Sequence, residues 1–370
     1  AAARREEEIT ALLGQLKLRN EEYLSLRQVH APLLSDIQRH LPDDALLIEY
    51  YLARDRIVAF TLTWDGLGVH DGFCRPAQVW ELLDQLTFQL NKFRYGRSYV
   101  HRHLAALRVS AEDCLAQLYR GLIEPLVAEL ADRQLIIVPH GALHYVPFHA
   151  LHDGQGYLIE SHQVSYAPSA SVLKFCLEKD GSDAAGVLIM GLPDERIPHV
   201  LGEVEAVGSV FAEPLLFTGP AATVSRLQEH GPGCDVIHLA THAMFRQDNP
   251  LFSALKLADG WLIVHDIYNL DLGASLVTLS ACETGVSRVA AGDELIGLVR
   301  GFLYAGTSSL VVSLWAVNDK STAYLMRRFY RGLQAGQGNA AALREAQLET
   351  RERYDHPYYW APFVLMGQCH

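Results

Sequence analysis

Two stretches decide the architecture: CDVIHLATHA at residues 234–243 and ASLVTLSACETG at residues 274–285. Each is apolar at consecutive rather than alternate positions, and each ends in small or polar residues. A strand of this kind is covered on both faces, the condition of a parallel sheet held between layers of helix. Three further runs have the same form: QLIIVPHG (134–141), GVLIMGLP (186–193) and SSLVVSLWAV (308–317). Stretches at helical spacing lie between them, GEVEAVGSVF (202–211), ATVSRLQEH (222–230) and DELIGLVRGFLYAG (293–306). Alternating strand and helix predicts an α/β fold, a mostly parallel sheet with helices on both faces and right-handed crossovers. Active sites of such sheets lie beyond the carboxyl ends of the strands, so the loops after all five runs are where chemistry is expected.

Working outward, residues 41–130 have a different character. ALLIEYYLARDRIVAFTLTWDGLGVHDG reads as a β-hairpin turning at Ala53–Arg56. A long helical region follows from Pro76 to about Leu130, interrupted at Tyr95-Gly96-Arg97. Residues 1–40 carry Ile9, Leu12, Leu13 and Leu16 at helical spacing among charges, with a second helical stretch from Glu21. The opening AAARREEEITALL is not a secretory signal, and it reads as the charged face of a helix cut from something longer. Three regions are therefore expected: a helical connector (1–40), a hairpin with helices (41–130) and the main α/β domain (131–370).

Composition narrows the classes. The 370 residues are 49% hydrophobic and 20% charged, which describes a globular chain with a substantial core. No apolar run approaches the roughly 20 residues that cross a bilayer, so no membrane partner is expected. The net charge of −12 disfavours a nucleic-acid partner. Six widely spaced cysteines (Cys74, Cys114, Cys176, Cys234, Cys282 and Cys369) include no CxxC pair, which points to a reducing, cytoplasmic setting.

The first two stretches also carry the residues suited to chemistry. One delivers His242 into the loop just after its strand, and the other delivers Cys282 with Gly285 close behind. An imidazole beside a thiol takes its proton and makes it a nucleophile. Small residues, Ala243 and Ala281, leave the backbone accessible, so that an N–H from each loop can meet a developing oxyanion. The plainer reading stands beside this one: a buried cysteine that packs as a small hydrophobe and a histidine held by hydrogen bonds. Four histidines in HGALHYVPFHALH (140–152) suggest a metal site, yet the prolines break helical geometry and no ligand recurs at a fixed offset. His238 and His242 are four apart, but in a strand pattern without the glutamate of a zinc-binding helix. No metal or cofactor is expected. GLPDER (191–196) reads as a loop at a strand end, without the GK[ST] of a phosphate-binding loop.

Beyond these residues, the chain resembles the CHAT family, caspase- and separase-like cysteine peptidases often fused to tetratricopeptide repeats. The likeness covers about residues 130–367. It is carried by LIIVPHGALHYVPFHAL, VSYAPSASVL, GEVEAV, VIHLATHA, LVTLSACETG, GDELIGLVRGFLYAGTSSLVVSLWAVND and YYWAPFVLMG in that order. The resemblance implies a caspase-like fold with Cys282 as nucleophile, His242 as base, and the backbone N–H groups of Ala243 and Cys282 as oxyanion donors. Alanine follows His242 where the family often has glycine. The substrate pocket is expected near Ser280, Asp293, Trp315 and Asp319. Ser280 stands where arginine-cutting metacaspases resemble one another in carrying Asp. Asp319 reads equally as an acidic wall and as a helix N-cap in VNDKST, and Trp315 equally as a cleft wall and as core. The resemblance thus implies a regulated cysteine endopeptidase acting on protein substrates, gated by a helical-repeat region or an activator protein. A catalytically silent scaffold on the same fold is the alternative.

Overall fold

A computed structural model describes residues 32–179, 184–194, 200–246, 249–282, 293–317 and 319–369, with the backbone alone at 281–282, 293–295 and 319. Residues 1–31 of the helical connector expected over residues 1–40 lie outside the described residues.

One long sheet organises the chain. Its strands are β1 (Ala45–Leu52), β2 (Ile57–Leu62), β3 (Leu67–His70), β4 (Gln134–Val138), β5 (Val164–Tyr166), β6 (Gly186–Gly191) and β7 (Leu215–Thr218). They continue with β8 (Cys234–Met244), β9 (Ala254–Leu257), β10 (Gly260–Ile263), β11 (Leu276–Cys282), β12 (Ser309–Ser313) and β13 (Phe363–Gly367). β7, β6, β8, β11 and β12 lie side by side, all parallel. β13 then pairs antiparallel with β12. Beyond it β5, β4 and β1 run parallel to β13, and β2 and β3 close that side as antiparallel strands. The expected hairpin is therefore a three-stranded meander, joined to the main sheet through β1 and β4.

Reversal at β13 corrects one expectation. Four of the five apolar runs end at a common edge, but β4 points the other way and carries the histidine-rich loop to the opposite edge. Local patterning fixes that a run is a strand; its direction depends on which neighbour it pairs with.

The continuous runs are explained by the two cores. Along β11, Val277 and Leu279 enter one core and Leu276 the other; along β12, Leu310 and Val312 enter the first and Val311 the second. Period-two alternation thus feeds apolar side chains to both faces. One face is covered by α1 (Leu34–His40), by Ala170 and Leu173 of α4 (Ala170–Leu177), and by α5 (Val200–Gly208), α8 (Asp319–Gln334) and α9 (Asn339–Arg353). The other is covered by α2 (Pro76–Asn91), α3 (Arg97–Leu122) and α7 (Asp293–Tyr304), with α6 (Val224–His230) adding Leu227. The expected break at Gly96 is present: φ there is +90°, a left-handed value that favours glycine, and it separates α2 from α3.

Candidate active site

The common carboxyl edge of β6, β8, β11 and β12 gathers the sequence-predicted residues. β8 and β11 are adjacent and parallel, and their last shared rung pairs His242 with Cys282. Strands of one sheet lie about 4.8 Å apart, so this register brings the two backbones as close as neighbouring strands allow. His242 is not in a loop, contrary to expectation. β8 runs on to Met244 because Ala243 and Met244 pair antiparallel with Leu255 and Ala254 of β9. Thr241 reinforces that corner by donating its hydroxyl to the Lys256 carbonyl.

Alternation along β8 sends Ile237, Leu239 and Ala243 to one core and Ala240 to the other. His242 shares the face of His238 and Ala240, beneath which α5 and α8 pack. Its side chain is only 10% exposed. Asp194, three residues past the end of β6, places a carboxylate oxygen 2.7 Å from His242 Nε2. Nε2 makes no hydrogen bond among the described residues, so the contact is a close approach of carboxyl group and ring. Asp194 approaches Nε2 and not Nδ1. The Asp194 side chain is 44% exposed, which opens the site to solvent from this side.

The sequence does not single out Asp194: GLPDER reads as a loop at a strand end, and that position at the carboxyl edge is the only signal. Gly191 has a clear reason. A Cβ there would meet Val204 at 2.6 Å and Val200 at 3.1 Å, so glycine allows α5 to close onto the end of β6.

Ser280 lies two residues before Cys282, paired with Ala240; it is buried and its hydroxyl has no hydrogen-bond partner among the described residues. Ala243 follows His242 within β8, buried on the opposite face. Asp293 and Asp319 are the first residues of α7 and α8, each of which follows a strand that ends at this edge. Trp315, just past β12, is half-buried and donates from Nε1 to the Tyr358 carbonyl at 3.2 Å.

The histidines of residues 140–152 are separately engaged beyond the other edge. His140 accepts from the Leu52 N–H at 3.0 Å and stacks on Tyr51. His149 meets the Ala361 carbonyl at 3.1 Å, and His152 accepts from the Gly154 N–H at 2.9 Å. Burial pushes His144 down to about 3, with Arg300 and His140 adding to the effect, and holds it neutral. No cluster of three metal-ligating side chains occurs among the described residues, and no helix there is long and apolar enough to cross a membrane.

The remaining described cysteines contrast with a nucleophile. Burial raises the thiols of Cys114, Cys176 and Cys369 to about 11, and it raises those of Cys74 and Cys234 as well.

Comparison with known proteins fits this geometry. The chain is 27% identical over 327 residues to human (Homo sapiens) tetratricopeptide repeat protein 28 and 26% identical to the mouse (Mus musculus) protein. The match covers 70% of this chain but only 13% of each relative, so the chain spans a small part of their length. Among solved structures, the separase of the Saccharomyces cerevisiae separase–securin complex superposes with a TM-score of 0.57 at 9% identity. That likeness covers 90% of this chain and 30% of the other, and at such identity it speaks for the fold alone. The CHAT-domain family model matches residues 112–368, from within α3 to the end of β13. A caspase-like sheet and a family match over more than half the residues lead to one conclusion: the chain belongs to the CHAT-domain family.

Proposed function

We propose that the chain is a cysteine endopeptidase in which Cys282 is the nucleophile, His242 the general base and acid, and Asp194 the residue that orients His242. The reading rests on one observation above all: His242 and Cys282 occupy the same final rung of two adjacent parallel strands.

Chemistry follows from that placement. The Cys282 thiol gives its proton to His242 Nδ1 and the thiolate attacks the peptide carbonyl carbon. The developing oxyanion is met by the backbone N–H groups of Ala243 and Cys282, each worth roughly 3 kcal/mol when well placed. The tetrahedral adduct collapses, the C–N bond breaks, and the imidazolium returns its proton to the leaving amine. Water then attacks the thioester, giving a proton to His242, and the acid and the free thiol are released. Asp194 compensates the charge the ring carries between these steps. In this proposal the substrate pocket is near Ser280, Trp315, Asp293 and Asp319, and the two aspartates are taken to favour Lys or Arg at the cleaved position.

Regulation by a helical-repeat region or an activator protein belongs to the same proposal. Its support is that the curated relatives are named as tetratricopeptide repeat proteins and that the separase neighbour is a complex with securin. A peptide library incubated with the protein and with Cys282→Ala and His242→Ala, read by mass spectrometry, tests the activity. Cuts that vanish in both variants support it. Cuts that persist in Cys282→Ala, or no cuts in the presence of the repeat region and its partner, leave the scaffold reading.

A further inference from the structure

Beneath the site lies a buried polar chain that the mechanism does not use. Glu203 Oε1 is 3.1 Å from His238 Nε2. His238 Nδ1 is 3.0 Å from the Tyr330 hydroxyl, which donates to Thr278 Oγ1 at 2.7 Å. All four side chains are at most 4% exposed. Burial raises the Tyr330 hydroxyl, so it keeps its proton and acts as donor. With that proton committed to Thr278, the Tyr330 oxygen accepts from His238 Nδ1–H. His238 Nε2 then lies against the Glu203 carboxyl group without hydrogen-bond alignment.

The placement is what matters. Glu203 is on α5, His238 on β8, Thr278 on β11 and Tyr330 on α8. These elements adjoin the four segments of the candidate site: Asp194 precedes α5, His242 ends the shared run of β8, Cys282 ends β11 and Asp319 opens α8. His238 and Thr278 are themselves paired across β8 and β11, two same-face rungs before His242 and Cys282. At about 3.3 Å per residue the chain lies roughly 13 Å below the dyad. Its surroundings are apolar: Val200, Val204 and Val207 of α5, Ala240, and Leu325 and Phe329 of α8. Apolar residues at the four positions would hold the layers together at least as well, because buried charges are costly to desolvate. The hydrogen bonds of Tyr330 add something packing does not, a single azimuth and register for α8 on the sheet, and the close approach of Glu203 to His238 ties α5 to the same strand.

We infer that Glu203, His238, Tyr330 and Thr278 are positioning residues that fix α5 and α8 on β8 and β11 and thereby hold Asp194 against His242. On the described side, Gly191 packs against Val204 and Val200 of α5 three residues before Asp194, and Glu203 lies in the first turn of the same helix. The catalytic consequence rests on the peptidase reading; the positioning itself does not.

The test uses the whole chain with ¹⁵N-labelled histidine, reading the ring nitrogens of His242, assigned through His242→Gln. Asp194→Asn gives the reference signals for a lost contact. Tyr330→Phe and Glu203→Gln are expected to move the His242 signals toward that reference, and to move them no further when combined with Asp194→Asn. On a cleaved peptide, the same variants lower kcat about tenfold with KM held within about twofold. If Glu203→Gln fails to fold, Tyr330→Phe, which removes one hydroxyl and leaves the Glu203–His238 contact in place, carries the test. The inference is overturned if Asp194→Asn leaves the His242 signals where they are. It is overturned equally if the brace variants leave them at wild-type positions, or shift them as far without Asp194 as with it. No substrate enters the ring-nitrogen measurements, so a failure to find cleavage sinks the peptidase reading and still leaves the brace to be judged.

Discussion

The contact between Asp194 and His242 joins a half-exposed carboxylate to a nearly buried imidazole. Ion pairs of that exposure add at most about 1 kcal/mol to stability, so the value of this one lies in fixing the ring. Asp194→Asn should lower kcat roughly 10- to 100-fold, leave KM within about twofold, and leave the melting temperature nearly unchanged. A large fall in melting temperature with normal kcat would make Asp194 a structural residue instead. The cysteines separate at the same scale. Five described thiols are raised by burial and stay protonated at neutral pH. Iodoacetamide at pH 7 should therefore modify Cys282 first, and His242→Ala should abolish that preference. Equal labelling of all six would contradict an activated Cys282.

At the scale of elements, the site depends on how closely α5 meets β6. Gly191→Val would drive its side chain into Val204 and Val200. The expected cost is about 1–3 kcal/mol, measured as a lower urea midpoint, with a matching loss of activity. Val204→Ala in the same chain should recover part of both, since it opens the space that the new side chain needs. A double variant no better than Gly191→Val alone would show that backbone conformation, and not contact, is the reason for glycine. The strand and helix types of the carboxyl-edge elements were legible because each run is long, apolar and bounded by small residues. The extension of β8 through His242 was not. It depends on Ala254 and Leu255 arriving as pairing partners from a segment with no strong pattern of its own. β3, β9 and β10, four residues each, escape sequence reading for the same reason.

Acid sensitivity belongs to the whole molecule. Burial pushes His149 down to about 4, against the opposing hydrogen bond to the Ala361 carbonyl, and pushes His356 to about 4. Both are neutral in the fold, whereas in the unfolded chain they protonate near 6.5. The folded values lie below the unfolded one, so this contribution is complete above about pH 6.5 and is lost as pH falls toward 4. Each such group accounts for about 3 kcal/mol over that window, a large share of a typical 5–15 kcal/mol. Urea unfolding between pH 7.5 and 4.5 should show the decline, and His149→Gln, which can still donate to Ala361, should flatten it. An unaltered slope in that variant would assign the loss to other groups.

The sequence by itself determined that this is an α/β chain, which runs are strands buried on both faces, and which thiol and imidazole stand near the carboxyl edge of those strands. Those properties are written in consecutive residues, because burial on two faces demands consecutive apolar side chains and a strand end demands small or polar ones. The tertiary structure decided the direction of β4, the antiparallel seam at β12 and β13, the register that pairs His242 with Cys282, and the approach of Asp194. It also decided that Glu203, His238, Tyr330 and Thr278 meet. Each of these is a relation between segments distant in the chain, set by which neighbours pair and pack, and no local pattern carries that information.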